Sequence, residues 1–256
     1  MATAFWRVGL ALIPLLIWAK ATEKTAADTR PQGLADYAML VLPGVFLAVD
    51  LAAWHLSLHM TSVANATLLA NLAPIFVTLG SWALFRAHVS RLFIVGLATA
   101  LIGVVTLKGG PMKLGGGDLA GDATAIVAAV LYAGYILTVG RLRSRFSTNR
   151  IMIWSTASAA VCIAPMVFFL ENSFMPTALF GWAMLIGLAF ISHAGGQGMI
   201  TYALAFLPPA FSSLTLLLQP VVAAILAWIL LNEPVGLMQA VGGIIVLAGI
   251  MVARRG

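Results

Sequence analysis

Nine apolar stretches of roughly 20 residues follow one another along this chain, with only short polar segments between them. They lie at roughly 4–19, 38–58, 63–85, 92–108, 120–140, 151–170, 180–204, 209–231 and 235–253. About 20 apolar residues in an α-helix cross the hydrocarbon core of a bilayer. The pattern therefore predicts an all-α, polytopic helical membrane protein with about nine transmembrane helices.

The composition excludes a soluble protein. Hydrophobic residues make up 62% of the chain, charged residues only 9%, and the mean hydropathy is +1.04. A soluble domain carries roughly a quarter charged residues, and a globule of this length could not bury so much apolar surface in one core. The net charge of +6 would suit a nucleic-acid partner, but the basic residues are scattered over short connecting segments. We therefore expect no nucleic-acid binding.

The positions of lysine and arginine indicate the orientation of the chain. If the first span begins outside, these basic residues are cytoplasmic: Lys20, Lys24, Arg30, Arg86, Arg91, Arg141, Arg143, Arg145, Arg150, Arg254 and Arg255. Only Arg7, Lys108 and Lys113 are then external. Because basic residues favour the cytoplasmic side, the chain is expected in the cytoplasmic membrane with its N-terminus outside and its C-terminus in the cytoplasm. The segment from Arg7 to Ala21 also resembles a secretory signal peptide, which is the alternative for this first span.

An internal repeat relates two parts of the sequence. Residues 61–105 align without gaps to residues 207–251 at an offset of 146, which pairs Pro74 with Pro220, Trp82 with Trp228 and Gly96 with Gly242. The repeat unit would contain five helices, and an odd number inverts the second copy, as in many secondary transporters. We expect one repeat in residues 1–108 and a second in residues 117–253.

Three segments resemble the drug/metabolite transporter superfamily, in its EamA-type branch. They are Phe5-Trp6-Arg7, then DLAAWHLSLHMTSVANATLLANLAPIFVTLGSWALF from Asp50, and LLLQPVVAAILAWILLNEPVGLMQAVGGIIVLAGIMVARR from Leu216. The resemblance implies a bundle of two inverted five-helix repeats. It also implies export or exchange of small metabolites, often amino acids or related compounds, by alternating access. The chain departs from the family where Arg86-Ala87 replace a frequent Gly-Glu pair.

The offset also indicates that the first repeat is incomplete. The second repeat begins with the span at 120–140, and subtracting 146 places its partner at about −26 to −6, before Met1. We therefore expect an in-frame apolar segment of about 20 residues upstream of Met1. Such a helix would place both termini in the cytoplasm and complete two copies of five.

Asp50 is the most informative polar residue, because it lies deep in the second span between apolar neighbours. A buried carboxylate either finds a partner or takes up a proton, so Asp50 is a candidate for substrate or proton binding. A fixed hydrogen bond between two helices is the alternative. Trp54 follows one turn later on the same face, and Tyr135 supplies an aromatic hydroxyl in the fifth span. Both are substrate-binding candidates. The alternative for Trp54 is packing or an interface anchor, and the alternative for Tyr135 is packing with a local hydrogen bond.

The third span and its repeat each contain a proline beside amide side chains. Asn65 and Asn71 precede Pro74, and Gln219 precedes Pro220. Amides of this kind often bond across helices, but a proline also frees a backbone carbonyl near the midplane. Paired prolines in corresponding helices point to a central site in inverted-repeat transporters. We interpret the three amides as substrate contacts and the two prolines as gating positions.

His193, Gln197 and Thr201 lie at i, i+4 and i+8, on one face of an α-helix. Under the repeat offset, Gln197 falls within one residue of the counterpart of Asp50, which is Gly196. The two related helices would then present polar faces at similar depth. His193 and Gln197 are therefore further substrate-binding candidates.

No metal or cofactor is expected. His55 and His59 are four residues apart, but no Glu completes a His-Glu-x-x-His motif, and the chain has only 4 histidines. Glu233 before Pro234 is interpreted as a helix-start residue.

A secondary transporter is the favoured function. The alternative is an integral membrane enzyme acting on a lipid or a small apolar substrate, which needs a nucleophile, a metal set or paired acids at membrane depth. The sequence offers one deep Asp50 and one lone Cys162, and an enzyme leaves the repeat unexplained. We expect a small-molecule substrate, surrounding membrane lipids and a monomer or homodimer.

Overall fold

The computed structural model describes residues 1–22, 30–107, 119–170, 174–176, 178–232 and 234–256. Glu233 and the segments around Lys24, Gly110 and Ser173 lie outside the described residues. The elements are α1 Ala2–Thr22, α2 Leu34–Met60, α3 Val63–Ala70, α4 Ala73–Phe85, α5 Arg91–Leu107, α6 Leu119–Leu142, α7 Thr148–Leu170, α8 Leu179–Gly187, a π-helix Leu188–Gln197, α9 Gly198–Ala203, α10 Pro209–Thr215, α11 Leu218–Leu231 and α12 Leu237–Arg254.

These helices confirm the predicted all-α membrane fold. Eight helical stretches among the described residues are long and apolar enough to cross a membrane, and α5 is a shorter ninth. Their surfaces are apolar as well, since side chains such as Phe169, Ile191 and Trp228 are mostly exposed. Lipid is the solvent that covers such surfaces favourably, so the chain is a multi-pass membrane protein.

The chain folds into two compact units. Unit 1 comprises Met1–His55 and Gly134–Leu207, and unit 2 comprises Leu56–Ala133 and Pro208–Gly256. The divisions fall inside α2 and α6, and each unit takes segments from both halves of the sequence. This division differs from the two sequence repeats, which stay a prediction.

Unit 1 is built around α1, which packs against α7 and the π-helix. The first part of α2 approaches α7 closely at Gly44, where an added Cβ would meet the Ser158 hydroxyl and the Ser155 carbonyl. The Ser158 hydroxyl donates a hydrogen bond to the Val41 carbonyl at 3.0 Å. Small side chains therefore let these two helices pack at short range, as is common in membranes.

Unit 2 is organised by the antiparallel contact of α5 with α12. We call this contact the glycine interface, and it consists of Gly96, Gly103, Gly242 and Gly249. A Cβ on Gly96 would lie 2.6 Å from the Gly249 carbonyl oxygen, and one on Gly103 would lie 2.9 Å from that of Gly242. The offset of 146 turns the first pair into the second, so the contact has the symmetry expected of an inverted repeat.

Two membrane spans of unit 2 are each interrupted by a turn, and the prolines that follow these turns are also 146 positions apart. A turn separates α3 from α4 just before Pro74, and another separates α10 from α11 just before Pro220. Each proline contributes to the break, because it lacks an N–H and its ring clashes with the carbonyl four residues earlier. Proline alone does not cause a break, since α1, α2 and α7 continue through Pro14, Pro43 and Pro165. The two C-caps, Arg86 with φ 51° and Asn232 with φ 54°, also differ by 146 positions.

The glycine interface leads to the first prediction. Gly103→Ala should destabilise the protein by about 1–3 kcal/mol, because overpacking forces backbones apart, and the added Cβ would lie 2.5 Å from the Val246 amide nitrogen. Thermal unfolding of the purified protein in detergent measures the loss. Gly187→Ala is the control, since a Cβ there meets nothing within 4 Å. Equal melting temperatures for the two variants would contradict the interface.

Candidate functional site

Several helices of unit 1 carry polar side chains inside its apolar framework, and two groups of them are linked: Asp50, His193 and Thr156 around Arg7, and Tyr135 with Thr201. We call this set the polar cluster, and its members are Arg7, Asp50, Tyr135, Thr156, His193, Gln197 and Thr201. They lie on α1, α2, α6, α7, the π-helix and α9. Polar groups at membrane depth are costly, so such a set commonly marks a substrate or ion pathway.

Arg7 and Asp50 bring opposite charges into the polar cluster. The Arg7 guanidinium interacts electrostatically with the Asp50 carboxyl and also with the His193 ring. Both charged side chains are half-buried. Arg7 lies in the second turn of α1, near the start of the predicted span 4–19, and its external side stays a prediction. Its position after Trp6 at the start of an apolar stretch was the signal that could have identified it.

His193 is almost fully buried, with 2% of its surface exposed. Its Nε2 lies 3.0 Å from the Thr156 hydroxyl, which joins the π-helix to α7. Its Nδ1 is buried without a hydrogen-bond partner among the described residues. A neutral imidazole carries one donor and one acceptor nitrogen, so Nδ1 retains unused bonding capacity.

The π-helix changes the geometry that the sequence predicted for His193 and Gln197. The sequence implied α-helical spacing from residue 193 to residue 201, but residues up to Gln197 follow π-helical hydrogen bonding. Each π-helical turn contains an extra residue, and such segments occur frequently at functional sites. The Gln197 Oε1 is buried and has no hydrogen-bond partner among the described residues. Both candidate side chains of this segment therefore retain an unsatisfied polar atom.

Tyr135 and Thr201 form a second linked pair within the polar cluster. The Tyr135 hydroxyl is hydrogen-bonded to Thr201, and the Thr201 hydroxyl donates to the Met152 sulfur at 3.2 Å. Tyr135 is only 1% exposed, so its ring also fills the core of unit 1. Met152 had no signal in the sequence, because a methionine in an apolar span is indistinguishable from packing.

Trp54 lies one turn after Asp50 in α2, as the sequence predicted. Its ring packs edge-on against His55, with centroids 5.3 Å apart and planes at 88°. The His55 Nδ1 lies 2.7 Å from the Leu51 carbonyl oxygen. His55 is therefore occupied within its own helix.

The remaining candidates lie in unit 2 around the two helix breaks. Asn65 is buried in α3, where its backbone N–H donates to the Ser62 hydroxyl, and Asn71 is the C-cap of α3. Gln219 is exposed near the start of α11. Pro74 and Pro220 lie in the first turns of α4 and α11. Five of the candidates therefore lie in unit 1 and five in unit 2.

Comparison with known proteins places the chain in a family. It matches the model of the EamA-like transporter family over residues 1–108 and 119–255. It is 27% identical over 252 residues to an uncharacterized transporter of Archaeoglobus fulgidus, covering 96% of this chain and 85% of that protein. A solved crystal structure superposes with a TM-score of 0.81 at 18% identity, covering 98% of this chain and 85% of the other, which supports the fold.

Two relatives carry names that state what they export. The chain is 25% identical over 226 residues to a probable terminal-alkyne amino-acid exporter of Streptantibioticus cattleyicolor, covering 86% of this chain and 74% of that protein. It is 22% identical over 217 residues to the pseudopaline exporter CntI of Pseudomonas aeruginosa, covering 85% and 75% respectively.

The hydrogen bond between Thr156 and His193 leads to the second prediction. Thr156→Val should destabilise the protein by about 1–3 kcal/mol, because the isosteric side chain leaves the buried Nε2 without its partner. Thermal unfolding in detergent is the measurement, and Thr156→Ser should restore most of the loss. Thr106→Val is the control, since the Thr106 hydroxyl donates to the Ile102 carbonyl of its own helix. A similar loss in both valine variants would show that the histidine contact is unimportant.

Proposed function

Because the chain belongs to the EamA-like transporter family, we propose that it is a secondary transporter that exports or exchanges a small metabolite by alternating access. The observation that carries the proposal is the polar cluster of unit 1. Within it, Asp50 and Arg7 offer opposite charges, while His193 and Gln197 hold buried atoms without partners among the described residues. A substrate with matching polar groups would satisfy them.

The chemistry of the polar cluster favours an amino acid or a related compound. Arginine binds carboxylates with parallel hydrogen bonds, and a carboxylate such as Asp50 suits an ammonium group. Trp54 and Tyr135 supply aromatic surfaces in the same unit. A zwitterion with an apolar side chain would use each of these groups. The names of the two exporters support this substrate class, since one refers to an amino acid.

Alternating access requires structural elements that can adopt two conformations. The broken helices of unit 2 are suited to this role. The turns before Pro74 and Pro220 interrupt the regular backbone bonding of both spans. Each short turn is closed by tighter bonds, such as that from the Leu72 N–H to the Leu69 carbonyl at 3.0 Å. We propose these turns as the gating positions, because a few backbone dihedrals there can absorb the motion.

One assay distinguishes a transporter from an enzyme and also tests whether Asp50 contributes to export. Asp50→Asn should reduce export of a labelled amino acid from loaded proteoliposomes by about tenfold or more, since a hydrogen bond to a charged group contributes about 1.5–3 kcal/mol. Thermal stability should change little, because the amide keeps the shape. Mass spectrometry of the exported compound shows whether it is chemically unchanged, as a transporter requires and an enzyme does not.

Asp122→Asn is the matched control for this assay. Asp122 is also buried in a membrane helix, but it accepts a hydrogen bond from Thr61 at 2.6 Å in unit 2. Its variant should export normally. If Asp50→Asn exports as well as Asp122→Asn, Asp50 is a structural residue and the substrate site lies elsewhere.

We propose that the chain lies in the cytoplasmic membrane with its N-terminus outside and its C-terminus inside, on the lysine and arginine distribution. Single cysteines in a Cys162-free background test this orientation. Positions near Arg30, Arg86, Arg143 and Gly256 should resist an impermeant thiol reagent in intact cells, whereas positions near Gly110, Ser173 and Asn232 should react. External labelling near Arg143 would reverse the orientation.

A further inference from the structure

A groove of about 570 Å³ lies on unit 2, where α4 ends and α5 begins. We call it the basic groove, because its apolar walls lead to the side chains of Arg86 and His88. The apolar wall residues are Ile75, Leu79, Trp82, Val89, Ile94 and Leu97. Its volume falls within the range of about 300–1,000 Å³ that is typical of ligand pockets.

Further basic residues gather at the same end of unit 2. Arg91 begins α5, and the antiparallel glycine interface brings the end of α12, with Arg254 and Arg255, beside the start of α5. All of these arginines and His88 are exposed. The described residues of unit 2 contain a single carboxylate side chain, Asp122, which accepts a hydrogen bond from Thr61. The described part of unit 2 thus shows no acidic side chain paired with these basic residues.

We propose that the basic groove binds one anionic phospholipid. Arg86 and His88 contact the phosphate group, and one acyl chain lies along Leu79 and Trp82. Arginine is suited to phosphate because its planar fork donates parallel hydrogen bonds. Binding of a free phosphate would not explain the apolar walls of the groove. Binding of an uncharged apolar ligand would not explain Arg86 and His88. A tryptophan one turn from the end of a membrane helix is also at the depth where headgroups begin.

The repeat supplies an internal comparison for this site. Trp228 corresponds to Trp82 and Asn232 to Arg86, and both C-caps adopt the left-handed conformation. Asparagine tolerates that conformation better than most residues, whereas a long side chain such as arginine is uncommon there. The backbone therefore does not require an arginine at position 86. The basic charge is present in one copy only, which fits a ligand restricted to one leaflet.

Lipid retention by the purified protein tests the proposal. The protein is equilibrated with detergent micelles that contain equal amounts of phosphatidylglycerol and phosphatidylcholine with the same acyl chains. Gel filtration and mass spectrometry then measure the lipid that remains bound. Wild type should retain phosphatidylglycerol preferentially. Arg86→Asn, which keeps the left-handed cap, should reduce this preference by about fivefold, the contribution of one basic residue near an anionic surface.

Matched variants separate the groove from general electrostatic attraction. Trp82→Ala should lower retention, whereas Trp228→Ala at the repeat-equivalent position should not. Arg30→Gln removes one exposed charge from unit 1 and should leave the preference unchanged. Should Arg86→Asn fail to fold, His88→Leu tests the same site, because it removes the second side chain that would contact the phosphate and should also lower this preference.

Three results would overturn the proposal. The first is equal retention of the two lipids by wild type, and the second is an equal effect of Arg30→Gln and Arg86→Asn. The third is displacement of phosphatidylglycerol by glycerol phosphate at the same concentration, which would identify a site for a soluble phosphate. Because none of these readouts involves export, the result stands apart from the transport proposal.

Discussion

Backbone N–H and C=O groups in a bilayer have no water to bond with, so each must find its partner within the chain. Among the described residues, the apolar spans are helical, and short turns with their own backbone bonds interrupt two of them. The breaks before Pro74 and Pro220 obey the same constraint, because tight turns replace the bonds that the proline rings prevent. The left-handed caps at Arg86 and Asn232 likewise end their helices with backbone bonds.

Polar side chains are subject to a related constraint, and the molecule meets it differently in its two units. In unit 1 the polar groups of Arg7, Asp50 and His193 are near one another inside an apolar framework. In unit 2 the described arginines are exposed at one end of the helices. The helices α5 and α12 contact each other through the glycine interface. Arg7 and Asp50 thus lie near an opposite charge, whereas the described arginines of unit 2 are exposed.

The candidate site was only partly predictable from the sequence. Asp50 and His193 could be identified because an ionisable residue in an apolar stretch is conspicuous. Thr156 and Met152 could not, since a threonine or methionine at a helical position carries no signal until its neighbours are known. The π-helix was missed as well, because the sequence rule for helices assumes 3.6 residues per turn. Arg7 was not among the site candidates, because a basic residue near the start of a span was interpreted as an indicator of orientation.

The sequence by itself determined the number and type of the spans and the internal offset of 146, because lipid imposes length and apolarity directly on the chain. It also indicated the family through segments that carry specific proline, tryptophan and glycine positions. Only the tertiary structure decided which polar side chains meet, how Gly96 and Gly249 approach, and that Arg86 lies at the end of an apolar groove. Those features depend on contacts between residues distant in the chain, and helical periodicity alone contains no information about them.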